Sequence, residues 1–249
     1  MRRTPFSAKG QRLRGIGAVL AGVATALLVF VATASHAQRG RPERMEASGA
    51  LLAPHGLVVT NAHAVRRCAA ISVGYANGTV VPGSVVASDE ARDIALVETA
   101  EQPEGGLILA DRAAGFGEPV FAIGFASSNP ARIANPLRVE RATAGSGAVA
   151  VNQALWAVFR GSARPGMSGG PVIDQSGRLV GIIAADYGPD SETTLLVPPH
   201  AIMELALAAG RAVSISPVPL DSHRGEDGTA QAYATTEPVA RDHVVRVLC

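Results

Sequence analysis

The sequence predicts an all-β domain followed by a single C-terminal helix. From Ala47 onward, short apolar runs alternate with turn residues, which is typical of all-β domains. Two of the turns, Pro54-His55-Gly56 and Ala76-Asn77-Gly78, separate apolar runs as hairpin turns do, and Asn-Gly is the strongest short hairpin signal. Helical spacing of apolar residues occurs once, at about 199–209, where two prolines open the segment and a glycine follows it. These three observations predict the fold class.

The apolar runs form two groups of expected strands. In the first half they are Ala50–Leu52, Leu57–Thr60, Ala70–Tyr75, Thr79–Val86, Ile94–Glu98, Leu107–Leu109 and Pro119–Gly124. In the second half they are Arg138–Ala144, Ala148–Val151, Leu155–Phe159, Pro171–Ile173, Leu179–Ala185 and Thr193–Val197. The segment 126–135 is loop-like and is expected to join the halves. Residues 216–240 are polar and are expected to be a linker, and residues 241–249 form a strand-like tail.

Residues 1–37 have the composition of an export signal. Basic residues up to Arg14 precede an uncharged stretch from Gly15 to Ser35, and small residues follow at the positions that a signal peptidase reads. The apolar run of about 20 residues is also long enough to span a bilayer. We therefore expect an exported protein, periplasmic or secreted, and the alternative is a protein anchored in the inner membrane by a retained segment.

The charge balance argues against a nucleic-acid partner. Residues 1–37 carry five of the 22 basic residues and no acidic residue, so the remaining chain has 17 basic against 21 acidic residues. Nucleic-acid binding requires a basic patch or stripe, and the sequence contains none. We expect membrane association only if the N-terminal segment is retained.

The chain has two cysteines, Cys68 and Cys249. Two cysteines without a matching cluster of ligands argue against a zinc site, and we expect no metal. Export makes a disulfide possible. The alternative is that Cys68 is a small buried apolar residue and Cys249 belongs to a frayed terminus.

Three residues, His63, Asp93 and Ser168, occur in contexts that suit the members of a catalytic triad. Their contexts, in chain order, are VVTNAHAV, DIALV and PGMSGGP. A serine hydroxyl is a poor nucleophile until a base takes its proton, and the base needs an orienting acceptor. Imidazole and carboxylate supply these two functions, so the three residues predict a serine peptidase.

The glycines around Ser168 also fit the nucleophile elbow of an α/β-hydrolase. That fold requires the order serine, acid, histidine and a helix directly after the serine. Here the order is histidine, aspartate, serine, and Pro171 with a strand-like run follows. The order excludes the α/β-hydrolase interpretation.

On these three motifs, the chain resembles the chymotrypsin-superfamily serine peptidases, in particular the HtrA/Deg branch of bacterial envelope proteases. The resemblance extends from about Ser48 to Gly210 and implies two packed six-stranded antiparallel β-barrels. The first barrel is expected at about 47–125 and the second at about 137–200, within a protease domain at 38–215. The resemblance also implies a polypeptide substrate and no cofactor.

The resemblance assigns a role to each site residue. His63 is the expected general base toward Ser168 and then the general acid toward the leaving amine, and Asp93 fixes the imidazole tautomer. Gly166 matches the oxyanion-hole glycine, so the backbone amides of Gly166 and Ser168 are expected to bind the developing oxyanion.

Several residues depart from the patterns of the superfamily. Met167 stands where trypsins carry the aspartate that pairs with a freed N-terminus, so that activation route is not supported. Ser162 stands where trypsins place an aspartate for basic substrates, and Ala184 and Ala185 are expected to line the same pocket. These residues predict a preference for a small or medium apolar side chain before the scissile bond. Since 39 residues follow Gly210, we expect no PDZ domain of the kind that HtrA proteins usually carry.

The start of the fold lacks an apolar strand that family members usually have before Ser48. The C-terminal run Val244–Leu248 is able to supply that strand, with a Cys68–Cys249 disulfide pinning it to the first barrel. In the chain-entropy model such a disulfide contributes ~3–5 kcal/mol.

Two further functional classes stay open on the sequence. One is a protease fold without catalysis that serves as a binding module, and the other is a protease that is latent until a partner orders its loops.

Overall fold

The structure is a computed structural model, and it describes residues 46–100, 103–126, 137–151, 154–161, 163–186, 193–217, 238 and 240–249. All of these residues belong to one compact unit, Arg44–Cys249. The expected export signal, Ser162, and most of the expected joining loop and polar linker lie outside the described residues. No helix among the described residues is long and apolar enough to cross a membrane.

The described residues include fourteen strands and two helices with defined bounds. The strands are β1 (Glu46–Leu52), β2 (Leu57–Thr60), β3 (Ile71–Gly74), β4 (Val80–Asp89), β5 (Ile94–Thr99), β6 (Leu109–Ala110), β7 (Pro119–Phe125), β8 (Leu137–Val151), β9 (Ala154–Arg160), β10 (Pro171–Asp174), β11 (Leu179–Asp186), β12 (Thr193–Val197), β13 (Ile215–Ser216) and β14 (Val244–Leu248). The helices are α1 (Ala62–Val65) and α2 (Pro199–Ala208).

Six strands close the first barrel in the order β1-β14-β3-β4-β5-β2. Every neighbouring pair is antiparallel. The expected C-terminal strand is β14, which lies between β1 and β3 and completes the ring. The barrel therefore combines strands from the two ends of the described chain.

Six other strands close the second barrel in the order β10-β7-β8-β9-β12-β11, and the β10–β11 pairing completes the ring. These pairs are also antiparallel, while β6 and β13 extend the sheet beyond β11 through parallel pairings. The predicted fold class, two six-stranded antiparallel barrels with a C-terminal helix, is confirmed.

Two details of the strand assignment are corrected. We expected Pro119–Gly124 in the first barrel, but β7 pairs with β8 and β10 and belongs to the second. Nearly all of β7 is buried, so its apolar run does not indicate which barrel it joins, and only its hydrogen-bonding partners decide this. The two strands that we expected at 138–151 are one strand, β8, with an irregularity between Ala144 and Ala148.

The core runs through both barrels and reaches the helix. One cluster of buried residues includes Leu52 and Ile94 from the first barrel together with Phe121 and Ile182 from the second. Burying an aliphatic or aromatic side chain of this size contributes about 1.5–3 kcal/mol. Helix α2 starts with a proline at a position where the missing N–H costs nothing, and its buried face joins this cluster.

Candidate active site

Helix α1 places His63 at the rim of the first barrel. The buried strand β2 ends at Thr60, and the four-residue helix follows directly. Asn61, which precedes the helix, is fully buried, and its side-chain amide donates a hydrogen bond to the Asp93 carbonyl at 3.0 Å. This bond connects the segment that carries His63 to the segment that carries Asp93.

Asp93 lies in the turn before β5 and has a φ of +50°, the only positive φ of a non-glycine residue in the described part of the chain. Aspartate is among the residues that tolerate this conformation. Its Oδ1 accepts the backbone amide of His63 at 2.9 Å, and its Oδ2 lies 2.7 Å from Nδ1 of the His63 ring. Both carboxylate oxygens therefore engage the same residue. With Nδ1–H donated to the carboxylate, Nε2 carries the free lone pair.

The turn before Asp93 is anchored by Arg92. The Arg92 guanidinium binds Asp89 at 2.8 Å and Glu204 of α2 at 2.6 Å. Burial raises the pKa of Asp89, but the hydrogen bonds and charge of Arg92 outweigh burial, so the pKa of Asp89 is lowered. Asp89 is thus an ionised partner for Arg92 at neutral pH, and the ion pairs connect the turn to β4 and α2.

Ser168 follows a tight turn formed by Arg164, Pro165, Gly166 and Met167. The Met167 amide donates to the Arg164 carbonyl at 2.9 Å, and Gly166 has a φ of +92°. Proline at the second position and a positive φ at the third are features of a type II turn. The Met167 side chain is fully buried and holds the turn against the second barrel, while Ser168 is partly exposed.

The Gly166 and Ser168 backbone amides are the expected donors to an oxyanion. Among the described residues, neither the Gly166 amide nor the Ser168 amide donates a hydrogen bond. A carbonyl group that filled an oxyanion site would accept from these donors, so the two amides are available to a ligand. No hydrogen bond between Ser168 Oγ and the His63 ring occurs among the contacts of these described residues.

The Ser168 segment is held between the two barrels. The Ser48 amide of β1 donates to the Ser168 carbonyl at 2.9 Å. On the other side, the Gly169 amide donates to the Ile183 carbonyl at 2.8 Å, and the Ile183 amide donates to the Gly170 carbonyl at 2.9 Å. The nucleophile candidate is therefore fixed relative to both β1 and β11.

The residues of the predicted specificity pocket are only partly described. Ala184 is buried on β11, directly after Ile183. The Ala185 backbone pairs with Leu195 of β12, and Ser162 lies outside the described residues. Sequence reasoning missed Thr194, whose hydroxyl accepts the Ala163 amide at 3.2 Å and donates to the Gly161 carbonyl at 2.8 Å. A buried threonine in a strand gives no local signal of this contact.

A disulfide joins Cys68 to Cys249, with a Cα–Cα distance of 5.1 Å. Cys68 follows the α1 segment, and Cys249 is the residue after β14. The bond therefore attaches the end of the C-terminal strand to the segment that carries His63.

The chain matches a known protein family and is similar in sequence to known proteases. A model of the trypsin-like peptidase domain family matches residues 47–182. The serine protease Rv3671c of Mycobacterium tuberculosis is 28% identical over 154 residues, which cover 60% of this chain and 38% of that protein. The chloroplastic protease Do-like 1 of Arabidopsis thaliana is 31% identical over 163 residues, which cover 59% of this chain and 34% of that protein. The chain thus spans less than two fifths of the length of these relatives.

Solved structures have the same fold. The active form of the Rv3671c protease aligns with a TM-score of 0.58 at 22% identity, covering 70% of this chain and 76% of that chain. A serine endoprotease from Yersinia pestis aligns with a TM-score of 0.57 at 20% identity, covering 70% of this chain and 66% of that chain.

Proposed function

This chain belongs to the trypsin-like peptidase domain family, and we propose that it is an exported serine endopeptidase that uses Ser168, His63 and Asp93. One observation carries the proposal. Both Asp93 carboxylate oxygens hold His63, at 2.9 and 2.7 Å, and the Ser168 turn presents two backbone amides that have no acceptor among the described residues. Base, orienting acceptor, nucleophile and oxyanion donors are the groups that acyl transfer requires.

The reaction proceeds in two halves. Ser168 Oγ attacks the scissile carbonyl carbon while His63 Nε2 takes the hydroxyl proton. The C–N bond then breaks, and the imidazolium returns the proton to the leaving amine, which leaves an acyl-enzyme ester. A water molecule repeats the attack with His63 as base, and the ester bond breaks with return of the proton to Ser168.

The negative charge that develops on the carbonyl oxygen is stabilised by the Gly166 and Ser168 amides. Loss of one such donor typically costs about 10²–10³ in turnover. Asp93 keeps the Nδ1 proton on the ring and stabilises the imidazolium. The lone pair of Nε2 is therefore available to take the proton of Ser168 in the first half of the reaction and that of water in the second.

The substrate is a polypeptide, either unfolded protein or a specific envelope protein. The residues proposed to line the specificity pocket are Ser162, Ala184 and Ala185, and none of them is acidic. This composition favours a small or medium apolar side chain before the scissile bond. The Cys68–Cys249 disulfide supports an oxidising compartment, in agreement with the export signal. A library profile dominated by cleavage after Lys or Arg would contradict the proposed preference.

A latent protease is the second candidate. It is favoured by the lack of a hydrogen bond between Ser168 Oγ and the His63 ring in the described structure. In apo enzymes, catalytic hydrogen bonds are often long and tighten only when substrate binds. The two candidates share the same residues and differ in whether peptide is needed to assemble them.

A fluorophosphonate probe with mass spectrometric site mapping tests the proposal. We expect phosphonylation of Ser168 in the folded wild-type protein, none in Ser168→Ala, and at least ~10³-fold slower labelling in His63→Ala. Ser176→Ala is the matched control, since Ser176 is an exposed serine on the β10–β11 turn, and it should be labelled like wild type. Labelling only after addition of a β-casein digest indicates latency. No labelling under either condition overturns the proposed activity and leaves a binding module.

A further inference from the structure

Ser48 of β1 uses every polar group it has, and two of its four hydrogen bonds to the described residues lead to the Ser168 turn. Its amide donates to the Ser168 carbonyl at 2.9 Å, and its hydroxyl donates to the Gly166 carbonyl at 2.8 Å. The same hydroxyl accepts the Phe125 amide at 2.8 Å, and the Ser48 carbonyl accepts the Thr60 hydroxyl at 2.7 Å. Ser48 is fully buried, so no solvent competes for these bonds.

The direction of the hydroxyl bond is forced by its partners. A serine hydroxyl has one hydrogen to donate and two lone pairs to accept with. The Phe125 amide is only able to donate, so it occupies a lone pair, and the Gly166 carbonyl is only able to accept, so it takes the hydrogen. A residue without a hydroxyl removes the partner of the buried Phe125 amide and of the part-buried Gly166 carbonyl.

The Gly166–Met167 peptide group is consequently held at both ends. Ser48 binds its carbonyl oxygen, and the Arg164 carbonyl accepts its N–H at 2.9 Å. Gly166 has a φ of +92° and no Cβ, so sterics alone leave its backbone many conformations. With Pro165 restricted on one side, the anchored carbonyl on the other side restricts the direction of the Gly166 amide.

The packing around Ser48 leaves little room for rearrangement. A Cβ placed on Gly124 would lie 2.9 Å from Met167 Cα and 3.0 Å from Ser48 Oγ. A Cβ on Gly169 would collide with the Ser48 carbonyl oxygen. The hydroxyl therefore sits in close contact with the turn.

We propose that Ser48 is a positioning residue of the oxyanion site, whose hydroxyl orients the Gly166 amide by holding the Gly166 carbonyl. This inference rests on the proposed peptidase function. The first barrel then contributes a third residue to the reaction besides His63 and Asp93, because Ser48 binds the turn that precedes Ser168. Its effect falls on transition-state stabilisation and leaves ground-state binding of substrate unchanged.

The test compares three variants by kcat and KM on a peptide substrate and by affinity for a peptide aldehyde, whose hemiacetal oxygen occupies the oxyanion site. Ser48→Ala should lower kcat and aldehyde affinity in parallel, by about 10–100-fold, with KM within twofold of wild type. Ser48→Cys adds no methyl group, keeps a weaker donor in the same place and should recover part of kcat. Thr99→Val is the matched control, because it removes another buried hydroxyl of the first barrel, the partner of Tyr75 at 2.7 Å, and should leave kcat and aldehyde affinity unchanged.

Every outcome decides the proposal. Equal kcat in Ser48→Ala and Thr99→Val, both shown to be folded by circular dichroism, overturns it, as does a change confined to KM. Should Ser48→Ala not fold, Ser48→Cys is compared with the wild-type protein instead. An intermediate kcat with unchanged KM then supports the proposal, and wild-type kcat overturns it. Absence of turnover and labelling in the wild-type protein would instead refute the peptidase function itself.

Discussion

The two barrels have the same number of strands and close in different ways. The second barrel takes all six strands from one continuous stretch, 119–197, and its ring closes through the neighbouring strands β10 and β11. The first barrel takes five strands from residues 46–99 and the sixth, β14, from residues 244–248. Closure of the first barrel therefore brings together segments about 200 residues apart, at a correspondingly larger cost in chain entropy.

The two barrels therefore differ in how they are held together and in which candidate catalytic residues they carry. The first barrel carries His63 and Asp93 and depends on a distant strand and a disulfide, while the second forms from successive antiparallel strands and holds Ser168 through β11. A change in the closure of the first barrel should therefore affect the strands of that barrel first, and it reaches Ser168 through β1, whose Ser48 amide binds the Ser168 carbonyl.

The largest expected effect is a loss of kcat when the first-barrel carboxylate Asp93 is replaced, compared with the same replacement of a carboxylate in the second barrel. Asp93→Asn places an amide donor opposite Nδ1, stabilises the wrong imidazole tautomer and should lower kcat by about 10⁴-fold. Asp174→Asn is the control from the second barrel, where the carboxylate accepts the Ser176 and Arg178 amides and pairs with the Arg178 guanidinium at 2.7 Å. It should lower the unfolding midpoint and leave kcat of the folded protein within twofold. Equal losses of kcat would show that Asp93 has no special part in the chemistry.

The next effect concerns the disulfide. Replacing Cys68 and Cys249 by alanine removes a cross-link between residues 181 positions apart and should lower the unfolding free energy by about 3–5 kcal/mol in urea titrations. Hydrogen exchange should rise in β1, β3 and β14 and stay near wild type in β7 to β12. A reducing agent should reproduce the shift in the wild-type protein and have no effect on the double variant. Uniform loss of protection across both barrels would contradict the expectation that the disulfide stabilises the first barrel more than the second.

The smallest expected effect is a pH dependence at the entry to β14. Burial lowers the pKa of His243 below 6.5, although Asp242 opposes the shift. As the pH falls below about 6.5, the unfolded chain takes up this proton before the folded chain does, so stability is lost from that pH down to the lowered folded pKa. His243→Gln should flatten the pH dependence of the unfolding free energy in this window. His200→Gln, at an exposed histidine of α2, should leave the slope unchanged, and identical slopes for both variants would rule out the effect.

Much of the candidate site could be predicted from the sequence, because each of its proposed catalytic residues lies in a short motif. His63, Asp93 and Ser168 each sit in a motif of five to eight residues, and their order excluded another hydrolase fold. The alternation of apolar runs and turns likewise predicted the fold class, because side chains in strands alternate between the two faces of a sheet. The barrel of β7 was assigned wrongly, since a strand that is nearly all buried does not indicate its partners.

The contact of the Ser48 hydroxyl could not be predicted from the local sequence. In the sequence it is one serine among small residues, and nothing near it indicates that its side chain meets a carbonyl 118 positions away. The same holds for Thr194, whose hydroxyl bridges the residues on either side of the Ser162 position. Both contacts join a strand residue to a turn or loop distant in the sequence, which local composition does not encode.

The sequence by itself determined which reactive groups this protein carries, in what order, and that they stand on an all-β scaffold. These properties follow from local residue patterns, because a strand period, a turn or a motif is complete within a few residues. The sequence also indicated that the C-terminal run supplies a strand of the first barrel, whereas only the tertiary structure decided that β7 belongs to the second barrel and that Ser48 reaches the Gly166 carbonyl. Those features are hydrogen bonds between distant segments, and their partners are selected by packing of the whole core.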